Sequence, residues 1–212
     1  MTDAKPLKLL LFDDTCRGRH ALVPGLTHSW IAGWVLYRGL GRLDRAQGAR
    51  SWEEGLRWLA TVERERPIEQ IQFWGHGKWG NARIDGEKLD VSALRPDHKY
   101  HRLLATIRDR LVGPQALWWF RTCETFGAEA GHRFGREWTD FFNCRAAGHT
   151  YIIGPWQSGL HCLKPGEEPD WSVWEGLDEG TPEEPKKALW SRPTAPNTVS
   201  CLGNSHRELE LD

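Results

Sequence analysis

A chain of 212 residues, 39 % hydrophobic and 27 % charged with a net charge of −1, is long enough to close one core and has the balance of a soluble globular protein. Five irregularly spaced cysteines argue against a disulfide framework. With no apolar leader and no apolar run near 18 residues, neither secretion nor a membrane span is expected, and a reduced, cytoplasmic protein is.

The charge is uneven along the chain. Residues 165–212 hold 11 acidic against 4 basic residues, a balance of −7, and residues 1–164 hold 24 basic against 18 acidic, a balance of +6. A surplus that small, spread over a domain, points away from nucleic acid. The expected organisation is one domain over 1–164 and an acidic extension over 165–212, packed on the same domain because Trp171, Trp174 and Trp190 have no use in a free tail. Most of the 13 tryptophans, among them Trp58, Trp74, Trp118, Trp119 and Trp138, sit in apolar runs and read as core.

Leu7 to Phe12 is a continuous apolar run, as in a central strand of a parallel sheet covered on both faces. It stops at Asp13-Asp14-Thr15, and Cys16, Gly18, Pro24 and Gly25 punctuate a loop. A short helix is expected over Ser29–Tyr37, then a loop marked by Gly39, Gly41 and Gly48. Ser51-Trp52-Glu53-Glu54 is a capping box, in which Glu54 reaches back to the amide of residue 51. The helix it opens shows Trp52, Leu56 and Leu59 at i, i+4, i+7 and ends before Pro67.

Ile71 to Trp74 reads as a buried strand, so strand, helix and strand imply a right-handed parallel crossover. Asp85-Gly86 marks a hairpin within Ala82–Leu89. A helix is expected over Asp97–Leu111, a strand over Ala116–Thr122 and a helix over Ala128–Phe142 with Phe134, Trp138 and Phe141 on one face. Tyr151–Gly154 reads as a fourth core strand, and beyond Pro165 the prolines at 182, 185, 193 and 196 break any long element.

Two strands end in residues able to do chemistry, His76 and Cys123, 47 positions apart. If they are parallel neighbours, both residues reach the carboxyl edge, where open α/β sheets place their sites. There His76 can take the thiol proton and return it to a leaving amine. A helix starting just after Cys123 would lower the thiol pKa through its dipole. The amides of Gly77 and Cys123 are candidate oxyanion donors. The structural alternative is a small buried cysteine and a packed histidine.

His132, His149, His161 and Cys162 show no zinc spacing, and no phosphate loop or dinucleotide fingerprint occurs, so no metal and no cofactor are expected. Cys16, Cys144, Cys162 and Cys201 have no local partner and read as structural or surface thiols.

Phe73-Trp74-Gly75-His76-Gly77 followed by Thr122-Cys123-Glu124-Thr125 resembles the caspase-like cysteine peptidases, the second motif being closest to the CHAT-domain form. The resemblance covers roughly residues 7–156. It implies a three-layer α/β fold with a mostly parallel sheet of about six strands. It also implies a cysteine endopeptidase, with a Cys123/His76 dyad acting on protein or peptide substrates in signalling or defence. The caspase pentapeptide is missing around Cys123, so the resemblance does not carry aspartate specificity. It places Asp13 and Asp14 at the pocket before the scissile bond, implying cleavage after a basic residue. These aspartates also suit a turn, and Arg17 or Arg19 would suit an acidic substrate instead. Trp156, Gln157 and Ser158 resemble the strand end that holds an extended substrate, with core packing the alternative for Trp156. Two rivals are an inactive caspase-like scaffolding or binding module and an unrelated α/β hydrolase or transferase using the same cysteine.

Overall fold

The computed structural model describes residues 5–18 and 25–200; Arg19, Pro24 and Cys201 lie outside the described residues. The elements, in chain order, begin with β1 (Leu7–Asp13), α1 (Leu26–Gly39), β2 (Arg45–Ala49), α2 (Trp52–Thr61) and β3 (Ile68–Trp74). Next come β4 (His76–Lys78), β5 (Asn81–Ile84), β6 (Glu87–Asp90), a 3₁₀ turn at Val91–Leu94, α3 (His101–Arg108) and β7 (Leu117–Arg121). The chain continues through α4 (Ala128–Phe142), β8 (Arg145–His149), β9 (Trp156–Gln157), β10 (Leu160–Leu163), β11 (Leu177–Gly180), β12 (Pro185–Ala188) and β13 (Val199–Ser200).

A six-stranded sheet in the order β10-β8-β7-β3-β1-β2 organises the chain. All its pairs are parallel except β10 on β8. The chain leaves β1 for β2 on one side, then places β3, β7 and β8 successively on the other. The order therefore reverses between β1 and β3, and the crevice beyond their carboxyl ends is where such sheets bind ligands.

Alternation along the strands divides the core. Leu7, Leu9, Leu11, Ile71, Phe73, Trp118 and Phe120 share one cluster with residues of α2, α3 and α4. Leu10, Phe12 and Trp74 join Tyr37 of α1 in a second, while Leu117 and Trp119 join Ala147, Leu160 and Val199 in a third. The first cluster is rich in aromatic edges: Trp138 stands edge-on to Trp118 at 5.0 Å and to Phe120 at 5.2 Å. Such pairs are worth about 0.5–1.5 kcal/mol beyond the area they bury.

Five expectations need correction. The loop marked by Gly48 contains β2, a half-exposed edge strand whose Arg-Ala-Gln-Gly-Ala sequence has too few apolar residues to show a period. The fourth core strand is β8, since Tyr151–Gly154 leaves the sheet and only Ile152 forms an isolated bridge, to Trp190. The helix expected over 97–111 shortens to α3. Turns at His98 and His101 hold its start, and Leu111 instead bridges Ile68 on the approach to β7. The Ser51 hydroxyl accepts from the Glu54 amide at 3.2 Å as expected, but the Glu54 carboxylate accepts from the amide of Arg50, not Ser51. α1 also runs beyond both ends of the short helix expected over 29–37.

The hairpin at Asp85-Gly86 is present, both residues taking positive φ (48° and 77°) as a tight two-residue turn requires. It is one half of a three-stranded unit, because His76–Lys78 forms β4 against β5. In the acidic region, Trp171 is buried between Phe126 and His161, stacked on both, and its Nε1 donates to the Phe126 carbonyl at 3.1 Å. Trp174 and Trp190 are exposed. Among the described residues no helix is long and apolar enough to cross a membrane.

Candidate functional site

β3 and β7 are hydrogen-bonded parallel neighbours in the register Trp74↔Arg121. Two residues further along each strand stand His76 and Cys123, at the same carboxyl edge. Gly75 releases the chain from β3, and β4 then runs against the turn at Thr122–Thr125. A side chain at position 77 would strike Thr125 Oγ1 and come within 2.7 Å of the Cys123 carbonyl oxygen. Only glycine allows that approach.

The turn carrying Cys123 is firmly held. Glu124 has a positive φ of 53°, unusual for a residue with a side chain. Its amide donates to the Tyr151 carbonyl at 3.1 Å, and the Phe126 amide donates to His149 at 3.0 Å. The Thr125 carbonyl accepts from Gly80, tying the turn to the tip of the β4–β5 hairpin.

α4 begins only at Ala128, five residues after Cys123, so the Cys123 amide is not in its first turn. The expected lowering of the thiol pKa by that helix is therefore absent. Burial pushes the Cys123 thiol up, and the Glu124 carboxylate adds to this; the amides of Ile153 and of Cys123 itself oppose it. Glu124 is also pushed up by burial, against the pull of Lys78 and Arg83.

The His76 imidazole is exposed, and Trp30 of α1 stands edge-on to it at 6.1 Å. Its hydrogen bond goes to a different thiol from the expected one: Cys16 Sγ lies 3.3 Å from Nε2. No hydrogen bond joins the His76 ring to Cys123 among the described residues. Cys16 was expected to lack a local partner; besides His76 it has two, because its Sγ also lies 3.7 Å from Asp13 Oδ2 and 3.9 Å from Thr15 Oγ1. Burial raises the Cys16 pKa and the Asp13 carboxylate raises it further.

The remaining sequence candidates separate by burial. Asp13 is buried, its Oδ1 accepting from the amide and hydroxyl of Thr15 at 2.9 and 2.6 Å, the turn geometry expected of aspartate. Asp14 pairs through Oδ2 with Arg17 at 2.6 Å, while its buried Oδ1 has no partner among the described residues. Trp156 is 44 % exposed. The Gln157 and Ser158 side chains point into the fold: Gln157 Oε1 accepts from Arg121, and the Ser158 hydroxyl donates to the Arg192 carbonyl at 3.0 Å.

Sequence reasoning missed Cys16 and Trp30. The rule that placed His76 and Cys123, that strand ends meet at one edge, applies equally to the end of β1 and would have included Cys16. Trp30 carries no such signal.

Comparison with protein-family models, with curated proteins and with solved structures gives no match.

Proposed function

We propose that this chain is a cysteine endopeptidase of the caspase-like arrangement, with helices on both faces of the sheet, Cys123 as nucleophile and His76 as general base and acid. The observation that carries the reading is the adjacency of β3 and β7, which brings His76 and Cys123 to one edge with Gly77 against the Cys123 carbonyl. The exposed imidazole turns from Cys16 towards Cys123 and takes its proton. The thiolate attacks the scissile carbonyl carbon, and the amides of Gly77 and Cys123 receive the developing oxyanion. His76 then protonates the leaving amine, leaving a thioester. A water molecule, deprotonated by His76, adds to the thioester carbonyl and releases the acid and the free thiol. The Asp14 carboxylate, ion-paired through Oδ2 with the exposed Arg17, suits a basic side chain before the cleaved bond that takes the place of Arg17. Trp156 offers an exposed wall for the substrate chain.

A second reading is favoured by the 3.3 Å contact between Cys16 and His76, which makes Cys16 the nucleophile. Against it, the neighbouring Asp13 carboxylate resists formation of the Cys16 thiolate. Peptidyl electrophiles with Lys, Arg or Asp next to the reactive group, followed by mass mapping of the adduct, test both. Modification of Cys123 by the basic probes supports the first reading, modification of Cys16 the second, and modification of neither favours a binding module.

A further inference from the structure

We propose that Asp13, Cys16 and His76 form a zinc-binding site, and that zinc bound there withdraws the His76 imidazole from Cys123. The first half stands on geometry alone; the second rests on the peptidase reading above.

One ligand atom from each residue lies within 4.8 Å of the other two. The two separations that involve the sulfur are those of zinc ligands. With bonds of about 2.3 Å to sulfur and about 2.0–2.1 Å to nitrogen or oxygen, tetrahedral angles set the sulfur about 3.5 Å from the other ligand atoms. Cys16 Sγ stands 3.3 Å from His76 Nε2 and 3.7 Å from Asp13 Oδ2, on either side of that value. A thiolate, an imidazole and a carboxylate form a donor set that selects zinc over magnesium or calcium, which take oxygen ligands.

The donors are also held in place by groups behind them. Thr15 fixes Asp13 Oδ1 through its amide and hydroxyl, leaving Oδ2 for Cys16. Thr27 Oγ1 donates to the Asp13 carbonyl at 2.9 Å, tying the end of β1 to α1. Trp30 stands against the His76 ring. Such outer contacts orient ligands and sharpen affinity. Two donors come from the end of β1 and the third from just beyond β3, so the site sits at the crevice where the strand order reverses. Cys16 and His76 are 60 residues apart, which is why no spacing motif announces the site. Three protein ligands leave a fourth position open to water.

The test uses the full chain, reduced and stripped with a chelator. Zinc is titrated in competition with a chromophoric chelator, and cobalt is added separately as a spectroscopic substitute. The expected result is one equivalent of tightly bound metal. Cys16→Ser should weaken binding by at least about 100-fold, more than the 10–100-fold typical of losing an outer partner. The thiolate-to-cobalt absorption band should persist in Cys123→Ser and vanish in Cys16→Ser. Equal affinity in wild type and Cys16→Ser, or a band lost only in Cys123→Ser, overturns the site. Circular dichroism confirms that each variant is folded, and His76→Ala supplies an independent loss of one ligand should Cys16→Ser unfold.

For the second half, one equivalent of zinc should slow labelling of wild-type Cys123 at least tenfold and leave the Cys16→Ser rate where it stands without zinc. Zinc that binds through Cys16 without slowing labelling overturns the inhibitory role alone. The binding measurements require no turnover, so a chain that binds zinc but never modifies Cys123 refutes the peptidase reading and leaves the site standing.

Discussion

Gly77→Ala probes the close packing of β4 on the Cys123 turn. The added methyl would fall on Thr125 Oγ1 and lie 2.7 Å from both the Cys123 carbonyl oxygen and Thr122 Cβ. Ordinary carbon contacts lie near 3.5–4.0 Å, so β4 must retreat by about 1 Å. Overpacking of this kind costs about 1–3 kcal/mol. At about 2–4 °C per kcal/mol for a chain of this size, a mid-range cost lowers Tm by about 4–8 °C. The same displacement moves His76 relative to Cys123, and a misplacement of about 1 Å costs about 100-fold in reaction rate. Gly39→Ala is the control, since nothing lies within 4 Å of its added methyl. Thermal melts and rates of Cys123 modification by a peptidyl electrophile are compared across the two variants. A Gly77→Ala protein with the Tm and labelling rate of Gly39→Ala would refute the packing that brings His76 to Cys123.

Burial and the nearby Arg121 charge hold His149 neutral, its pKa pushed down to about 3. The unfolded chain takes up this proton near pH 6.5, so stability is complete above that pH. It falls by up to about 1.4 kcal/mol per pH unit as the pH drops from about 6 towards 3. Urea titrations at several pH values should show this slope, and His149→Gln should flatten it by that amount; an unchanged slope contradicts the assignment. The buried Arg121 guanidinium lies within 5.4 Å of the ring centres of Tyr37, Trp74 and Trp119 and donates to Tyr37 Oη and Gln157 Oε1. Arg121→Met keeps the bulk but strands those acceptors, and should cost about 2–4 kcal/mol in urea unfolding. A loss below about 1 kcal/mol would mean that the stack contributes only packing.

The elements that read clearly in the sequence are those whose burial is uniform. β1 and β7 are runs of mostly large apolar residues, β3 ends in Ile71-Gln72-Phe73-Trp74, all three are buried along nearly their whole length, and each shows plainly. The amphipathic helices α2 and α4 show through their i, i+4, i+7 stripes. β8 did not, because Arg145-Ala-Ala-Gly-His packs small residues beneath its neighbours: the Gly148 Cα lies against the Phe126 ring. Tyr151-Ile152-Ile153 has the stronger strand propensity, yet the chain turns there towards the acidic region, as the bridge between Ile152 and Trp190 shows. The positions of His76 and Cys123 at one edge follow from strand order and were legible. Strand order puts the end of β1, and so Cys16, near that edge too, but the contact of His76 with Cys16 was not legible, since it depends on where the loop after β1 comes to rest, and loop paths carry no period.

The central claim is that His76 serves Cys123. It is tested most directly by the pH profile of site-resolved alkylation, following Cys16 and Cys123 separately by mass spectrometry in wild type, His76→Ala and Cys16→Ser. The account requires Cys123 in wild type and Cys16→Ser to react with a peptidyl electrophile far below the pH at which its buried thiol would ionise unaided, and His76→Ala to abolish that advantage. Equal Cys123 rates with and without the imidazole, or an advantage confined to Cys16, would contradict it.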